Sequence, residues 1–405
     1  MKRIFITIIS LLFLIDCPFI NACTTAIVSG KFTKDGRPLL IKVRDTDELQ
    51  NKLLFFNDGK YEYIGLVDSR DSLGTSVWAG SNSMGFSIMN SLSYNLNAGD
   101  TTLVTGNGVL MKRALQTCAT LEDFEEMVKA YPGLKELEAN FGVIDAQGGA
   151  AYYEIGKNKF TKFDANDPMI APFGYLIRSN FSYSGDRKED IGLIRYQTAE
   201  DVFKEAYSTN NFSFQFLIKN FARCLKQSLT KTNLLENIPA SSEELVFVNY
   251  QDFIPNYYST AAFVVQGVKE NESPSLTTIW TVLGFPLCSV AIPTWVKGGK
   301  ELPSVLQADS SGNAPLCSMA LKLKEKVFPL IKGYSTRYIN LASILNKNKD
   351  GIMQKLMPLE DSIINDAEQE LKRWRIKGIE VSEIRKFYER VDMQIISFFK
   401  NTFNL

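Results

Sequence analysis

Cys23 has more chemistry open to it than any other residue of this chain. It follows Ile20-Asn21-Ala22, and a cut after Ala22 would make it a new N-terminus carrying a thiol and a free α-amine. An unperturbed α-amine titrates near 7.7–8.0 and a thiol near 8.5, so the amine can take the thiol's proton around neutral pH. The chain of 405 residues contains no histidine. Ser-His-Asp and Cys-His nucleophiles, histidine-ligated zinc and two-histidine iron sites are thereby excluded. A nucleophile here must pass its proton to some other group, and an N-terminal amine is such a group. The segment before Cys23 also has partial lipobox character, so a non-enzymatic binding protein anchored to lipid through Cys23 stands as the alternative. Lipidation would block both reactive groups.

The residues around Cys23 prescribe how it must be presented. Lys2 and Arg3 precede Ile4 to Ile15, an uncharged run of 12 residues. As a helix that run spans about 18 Å, short of the roughly 30 Å of a bilayer core. Residues 1–22 are therefore expected to be an export signal that is removed, with the remainder in the periplasm or outside the cell. No later segment is long and apolar enough to suggest a membrane span. Thr24 to Ser29 is β-branched and apolar, Lys34 to Pro38 is a turn, and Leu39 to Val43 is a second strand, so Cys23 should open a hairpin.

Further strand pairs are expected at Ser76–Ala79 with Gly85–Asn90, and at Phe141–Ile144 with Ala150–Ile155. Gly108–Thr117 has helical spacing, and Thr120 with Asp123 forms a capping-box pattern at the head of another helix. Gln197–Tyr207 and Phe212–Leu229 read as helices. Leu245–Val248, Ala261–Val268 and Leu276–Leu283 return to strand. Strands and helices come in runs, which indicates an α+β layered fold with antiparallel sheets. From Ala314 to Leu405 glycine becomes scarce and helical periodicity dominates. Ile363, Ile364, Ala367 and Leu371 share one face, and Phe387, Val391 and Ile395 another. This helical extension is expected to pack on the body or to join two subunits of a homo-oligomer.

Composition removes other classes of function. Lys plus Arg and Asp plus Glu both total 45, which gives no electrostatic reason to expect nucleic acid as a partner. No C-x-x-C pair occurs, and nothing in the sequence calls for a metal or cofactor. Cys118, Cys224, Cys288 and Cys317 read as small buried hydrophobes, with any disulfide pairing among them left open.

Cys23-Thr24-Thr25, followed by Asp35 through Asp45, resembles the N-terminal hairpin of N-terminal-nucleophile (Ntn) amide hydrolases. The groups it is most similar to are choloylglycine hydrolases with penicillin V acylases, isopenicillin N acyltransferase-like peptidases, and acid ceramidase. That resemblance implies a four-layer αββα sandwich over residues 23–313, with 314–405 as an appended helical segment. It places a basic residue at Lys42 and an amine-orienting aspartate at Asp45; a two-residue slip would select Arg44 and Asp47. Gly80 to Asn90 matches a hairpin that contacts substrate, through Asn82 or Asn90. Ile144 to Glu154 matches a structural hairpin. Arg178-Ser179-Asn180 matches a segment whose Asn donates to the oxyanion, and Arg195 falls where relatives hold an arginine near the nucleophile. The implied site is Cys23, Asp45, Asn180 and Arg195 for catalysis, with Lys42, Arg44, Asn82 and Asn90 toward substrate. The implied activity is hydrolysis of linear C–N amides such as conjugated bile acids, penicillin V-type or fatty-acyl amides, with acyltransferase or aminopeptidase-like activity as alternatives. Loops at Leu49–Tyr63 and Tyr131–Asn140, rich in Leu53, Leu54, Phe55, Phe56, Tyr61 and Tyr63, are expected to line an apolar acyl pocket.

Overall fold

The computed structural model describes residues 23–97, 106–186, 188, 190–330, 332–333 and 335–405; the expected export signal at 1–22 lies outside them. The strands in chain order are β1 (Thr24–Val28), β2 (Leu39–Asp45), β3 (Asn51–Phe56), β4 (Tyr63–Asp68), β5 (Ala79–Asn82), β6 (Ser87–Leu92), β7 (Ala139–Ile144), β8 (Ala150–Gly156), β9 (Lys159–Asp164), β10 (Tyr175–Arg178), β11 (Lys226–Gln227), β12 (Thr232–Asn233), β13 (Phe247–Asn249), β14 (Ser259–Gln266), β15 (Thr278–Leu283), β16 (Ile292–Thr294) and β17 (Tyr338–Asn340). The helices are α1 (Asn107–Thr117), α2 (Leu121–Lys129), α3 (Leu193–Ser208), α4 (Phe214–Phe216), α5 (Pro315–Val327), α6 (Leu341–Ile344), α7 (Ile352–Lys377) and α8 (Val381–Phe403).

Two antiparallel sheets make the frame. One has six strands in the order β10-β1-β2-β14-β15-β16, and the other is a seven-stranded meander from β3 to β9. Every residue of β1 and β2 is buried, as a central hairpin covered on both faces requires. Ala26, Ile41 and Val43 of the first sheet share a core with Leu53, Leu66, Met89 and Tyr152 of the second. On the meander's other face, Tyr63, Ile88, Phe141 and Tyr153 pack against Leu110, Leu115 and Phe124 of α1 and α2. On the first sheet's outer side lie Phe203, Leu323 and Ile363 of α3, α5 and α7, and Phe214 stacks on Trp280 with centroids 4.4 Å apart. The layers therefore run helix, sheet, sheet, helix in an α+β fold.

Local signals place several elements where the sequence implies. Thr120 Oγ1 accepts from Asp123 N, and Asp123 Oδ2 accepts from Thr120 N, which is the capping box at the head of α2. The helix expected over Phe212–Leu229 is shorter. Ser213 caps α4, one π-type turn covers Leu217–Phe221, and the chain then turns into β11. Just past the break, Arg223 donates to the carbonyls of Pro286 and Ser289 and to Glu360 of α7, which ties this turn to the rest of the core.

The expected loop at Leu49–Tyr63 contains β3 and reaches the start of β4, with a turn between them. Leu53 joins the core between the sheets, and Phe56 stacks on Tyr63 at 4.6 Å beside the helical layer. The segment from 314 onward shares the main core. Its two apolar stripes, from Ile363 to Leu371 and from Phe387 to Ile395, are buried within this chain, with Trp374 packed edge-on to Trp295.

Candidate active site

The β1–β2 register pairs Thr24 with Val43, so Cys23 lies beside the end of β2. Its Sγ is 3.9 Å from the Asp45 carbonyl oxygen. The thiol opens on a cleft of about 340 Å³ whose lining includes Lys42, Arg44, Asp45, Asn90 and Leu92. Cys118, Cys224, Cys288 and Cys317 are buried and unpaired. Burial raises the thiols of Cys118, Cys224 and Cys317 to about 11 and that of Cys288 further, which leaves them protonated and inert.

Lys42 and Arg44 alternate with Val43 on β2 and so point to the same face. Lys42 Nζ donates to Asn90 Oδ1 at 2.7 Å and to the Trp78 carbonyl at 3.0 Å. Both acceptors are neutral, and burial pushes the ammonium down to about 8, against the weaker pull of Cys23. Asn90 spends its oxygen on Lys42, so its Nδ2 is the open end of that amide among the described residues. Arg44 is tied to Asn51 and to Asp68 at 2.7 Å and lies over Trp78.

Asp45 is buried at the end of β2. Oδ1 accepts from Ser259 Oγ at 2.5 Å and Oδ2 from Asn256 Nδ2 at 2.7 Å. Burial raises its carboxyl to about 6, opposed by Arg195 and by these two hydrogen bonds. Asp47, the slipped-register candidate, is exposed at the cleft rim.

Arg195 enters from the first turn of α3. Its Nη1 donates to the Cys23 carbonyl at 2.9 Å and to Thr24 Oγ1 at 2.7 Å, and its Nη2 donates to Asn180 Oδ1 at 2.8 Å. Gly192 caps this helix with φ +81°, and a Cβ there would run into the guanidinium. Asn180 Nδ2 donates to the Leu92 carbonyl at 2.9 Å, so this amide is tethered behind the cleft wall. Asn82 lies away from the cleft. Its Nδ2 donates to the carbonyls of Leu115 and Cys118 at the end of α1, and its Oδ1 accepts from Met84 N and Phe86 N. Asn82 is the turn former of the β5–β6 hairpin.

The structure thus brings Cys23, Lys42, Arg44, Asp45 and Asn90 to one cleft, with Arg195 and Asn180 directly behind. Sequence reasoning missed Asn256 and Ser259, which hold Asp45 from more than 200 residues away. It also missed Asp68 and Trp78, which hold Arg44 and are hydrogen-bonded to each other. Only strand pairing brings these residues near, and no local pattern announces it.

No family model matches the chain, and no curated protein matches it. Among solved structures it is similar to a Caenorhabditis elegans ortholog of N-acylethanolamine-hydrolyzing acid amidase, at 14% identity over 62% of this chain and 93% of that one, TM-score 0.42. It is also similar to penicillin V acylase from Agrobacterium tumefaciens, at 11% identity over 67% and 86%, TM-score 0.39. A variant of conjugated bile acid hydrolase from Clostridium perfringens follows at 13% identity over 64% and 89%, TM-score 0.34. Similarity at this level assigns no residue a role.

Proposed function

We propose that the chain starting at Cys23 is an exported amide hydrolase with an N-terminal cysteine nucleophile. The observation that carries this reading is the meeting, in a histidine-free chain, of the Cys23 thiol with a buried carboxylate, a buried ammonium and an open amide donor in one cleft. The Cys23 α-amine takes the thiol proton and Sγ attacks the amide carbon. Asn90 Nδ2 donates to the oxygen that gains charge, with Asn180 as the donor the sequence resemblance favours. Removing one such donor typically costs about 2.7–4 kcal/mol. The amine hands its proton to the leaving nitrogen as the C–N bond breaks, and water then opens the thioester. Asp45 orients the amine. Lys42 lines the cleft beside Cys23, and Arg195 anchors the Cys23 carbonyl from behind.

The cleft shapes the substrate proposal. Leu53, Phe56 and Tyr63, expected as an apolar acyl wall, lie in the core. Arg44, Asp47, Asp68 and an Arg70–Glu48 pair give the cleft charged walls instead. An amide carrying polar or charged groups beside the scissile bond fits this surface better than a long alkyl chain. An amine replacing water at the thioester would make the same site an acyltransferase.

The test compares Cys23→Ala, Cys118→Ala and a form retaining residues 1–22 on a panel of N-acyl amino acids, penicillin V, conjugated bile acids and short peptides. Turnover should fall by more than about 10³-fold in the first and third and stay near wild type in the second. An active precursor, or intact mass showing a diacylglyceryl group on Cys23, would sink the reading in favour of the lipid anchor.

A further inference from the structure

Asp45 is held entirely by one turn. Asn256 and Ser259 both donate to its carboxylate, and the turn is braced internally: Asn256 N donates to Ser259 Oγ, Ser259 N to the Asn256 carbonyl, and Tyr258 N to Asn256 Oδ1, each at 2.9 Å. The Tyr258 carbonyl accepts from Thr46 N at 2.9 Å, next to Asp45 itself. A bulge between Ser259 and Ala261 sets this geometry, with Ser259 opposite Asp45 and Ala261 opposite Arg44.

The carbonyl at the centre of the turn, that of Tyr257, is gripped by Lys324 Nζ from α5. The ammonium lies 4.2 Å from the Tyr257 ring centroid and 5.7 Å from that of Phe285. Lys324 is buried, and among the described residues no carboxylate lies within ion-pair distance of it. The groups that feel its charge are Asp45, Cys288 and Cys317, and the two thiols are held protonated by burial. A buried cation without an ion-pair partner is costly, and Asp45 is the one carboxylate among the groups that feel its charge.

We propose that Lys324 is a positioning residue for the reaction, seating the Asn256–Ser259 turn against Asp45 and holding that carboxylate ionised. The C-terminal segment thereby becomes part of the active site's support. This rests on the reading of Cys23 as nucleophile and Asp45 as the group that orients its amine. The other charged and titratable groups facing Asp45 are Arg195 of α3, Lys42 of β2, Tyr250 and Cys23 itself.

The experiment needs no substrate. Mature protein is alkylated with iodoacetamide across pH 4.5–8.5, and labelling at Cys23 is followed by peptide mass. Variants are Lys324→Met, Lys324→Gln, Lys324→Arg and Asp45→Asn, plus Lys324→Met within Asp45→Asn. In wild type Cys23 should label far faster than Cys118. Loss of the cation should move the acid limb of the Cys23 profile to higher pH by about one unit. Lys324→Arg should leave it in place, and Lys324→Met should add nothing in the Asp45→Asn background. Lys324→Gln keeps a donor for the Tyr257 carbonyl and decides the matter if the Met variant does not fold. A reactive Cys23 whose acid limb ignores Lys324, or shifts equally without Asp45, overturns the proposal. A Cys23 no more reactive than Cys118 overturns the catalytic reading beneath it.

Discussion

Glu154 and Asp45 are both fully buried carboxylates, and they are partnered in opposite ways. Glu154 faces Arg178 at 2.7 Å in a pair with no solvent exposure, and also accepts from Tyr183 N, Ser184 N and Ser184 Oγ. Arg178 is further held over the Tyr183 ring at 3.9 Å. Asp45 has only neutral hydrogen-bond donors, and the cations around it act from beyond ion-pair range. The first arrangement fixes the strand end that carries Asn180. The second leaves a carboxylate, an ammonium and a thiol incompletely satisfied around one cleft. Under-partnered buried charge is where a protein can do acid–base work, whereas a carboxylate matched by its own counter-ion is frame.

Exchanging each carboxylate for its amide should separate the two roles. Glu154→Gln leaves Arg178 buried without its counter-charge, which typically costs about 3–5 kcal/mol, visible in denaturant unfolding. Activity per folded molecule should change little. Asp45→Asn should do the reverse: turnover should drop by roughly 10⁴-fold, as when the orienting carboxylate of a catalytic triad is removed. Asp47→Asn, at the exposed rim, should stay within about twofold of wild type, as expected of a surface substitution. Equal losses from Asp45→Asn and Asp47→Asn would mean that the orienting aspartate has been misassigned.

The next contrast is between two asparagines. Asn90 presents its Nδ2 to the cleft while Lys42 holds its oxygen; Asn180 is tied at both ends, to Arg195 and to the Leu92 carbonyl. Asn90→Ala should lower kcat by about 10²–10³-fold with little change in KM, as for a lost oxyanion donor. Asn180→Ala should cost less in kcat and more in stability, because its bonds are internal. The opposite ranking would move the oxyanion donor to Asn180.

Much of this was legible in the sequence, and the reasons differ by element. The β1–β2 hairpin, the capping box at Thr120 and the alternation of Val43 with Lys42 and Arg44 are local patterns, written within a few residues. β3 was missed because Leu53-Leu54-Phe55-Phe56 does not alternate, and a strand buried on both faces need not. Asn82 and Asn90 are offered alike by the sequence as the substrate-side asparagine of one hairpin, although Asn82 ends β5 and Asn90 lies within β6. Only the hydrogen bonds show that one closes a turn and the other faces the cleft. The supports of Asp45 come from two distant segments, so nothing near residue 45 could announce them.

The smallest effect sharpens the comparison through pH. Burial holds the Asp45 carboxyl at about 6, against about 3.9 for an unfolded chain. Between those values the folded protein keeps a proton that the unfolded chain has released. The stability this group contributes is therefore present near pH 4 and lost as the pH rises through 6. Lys42, pushed down to about 8, behaves as its mirror image: its contribution is present above about 10.4 and lost as the pH falls through 8. At neutral pH both groups are charged, and both weigh against the fold. Urea unfolding at pH 4.5 and 6.5 should show wild type losing on the order of 2 kcal/mol more than Asp45→Asn over that interval. On the proposed mechanism turnover should rise over the same interval, because the ionised carboxylate would orient the amine. An identical stability change in both proteins would remove Asp45 as the titrating group. With it would go the claim that the cleft holds charge at the expense of stability.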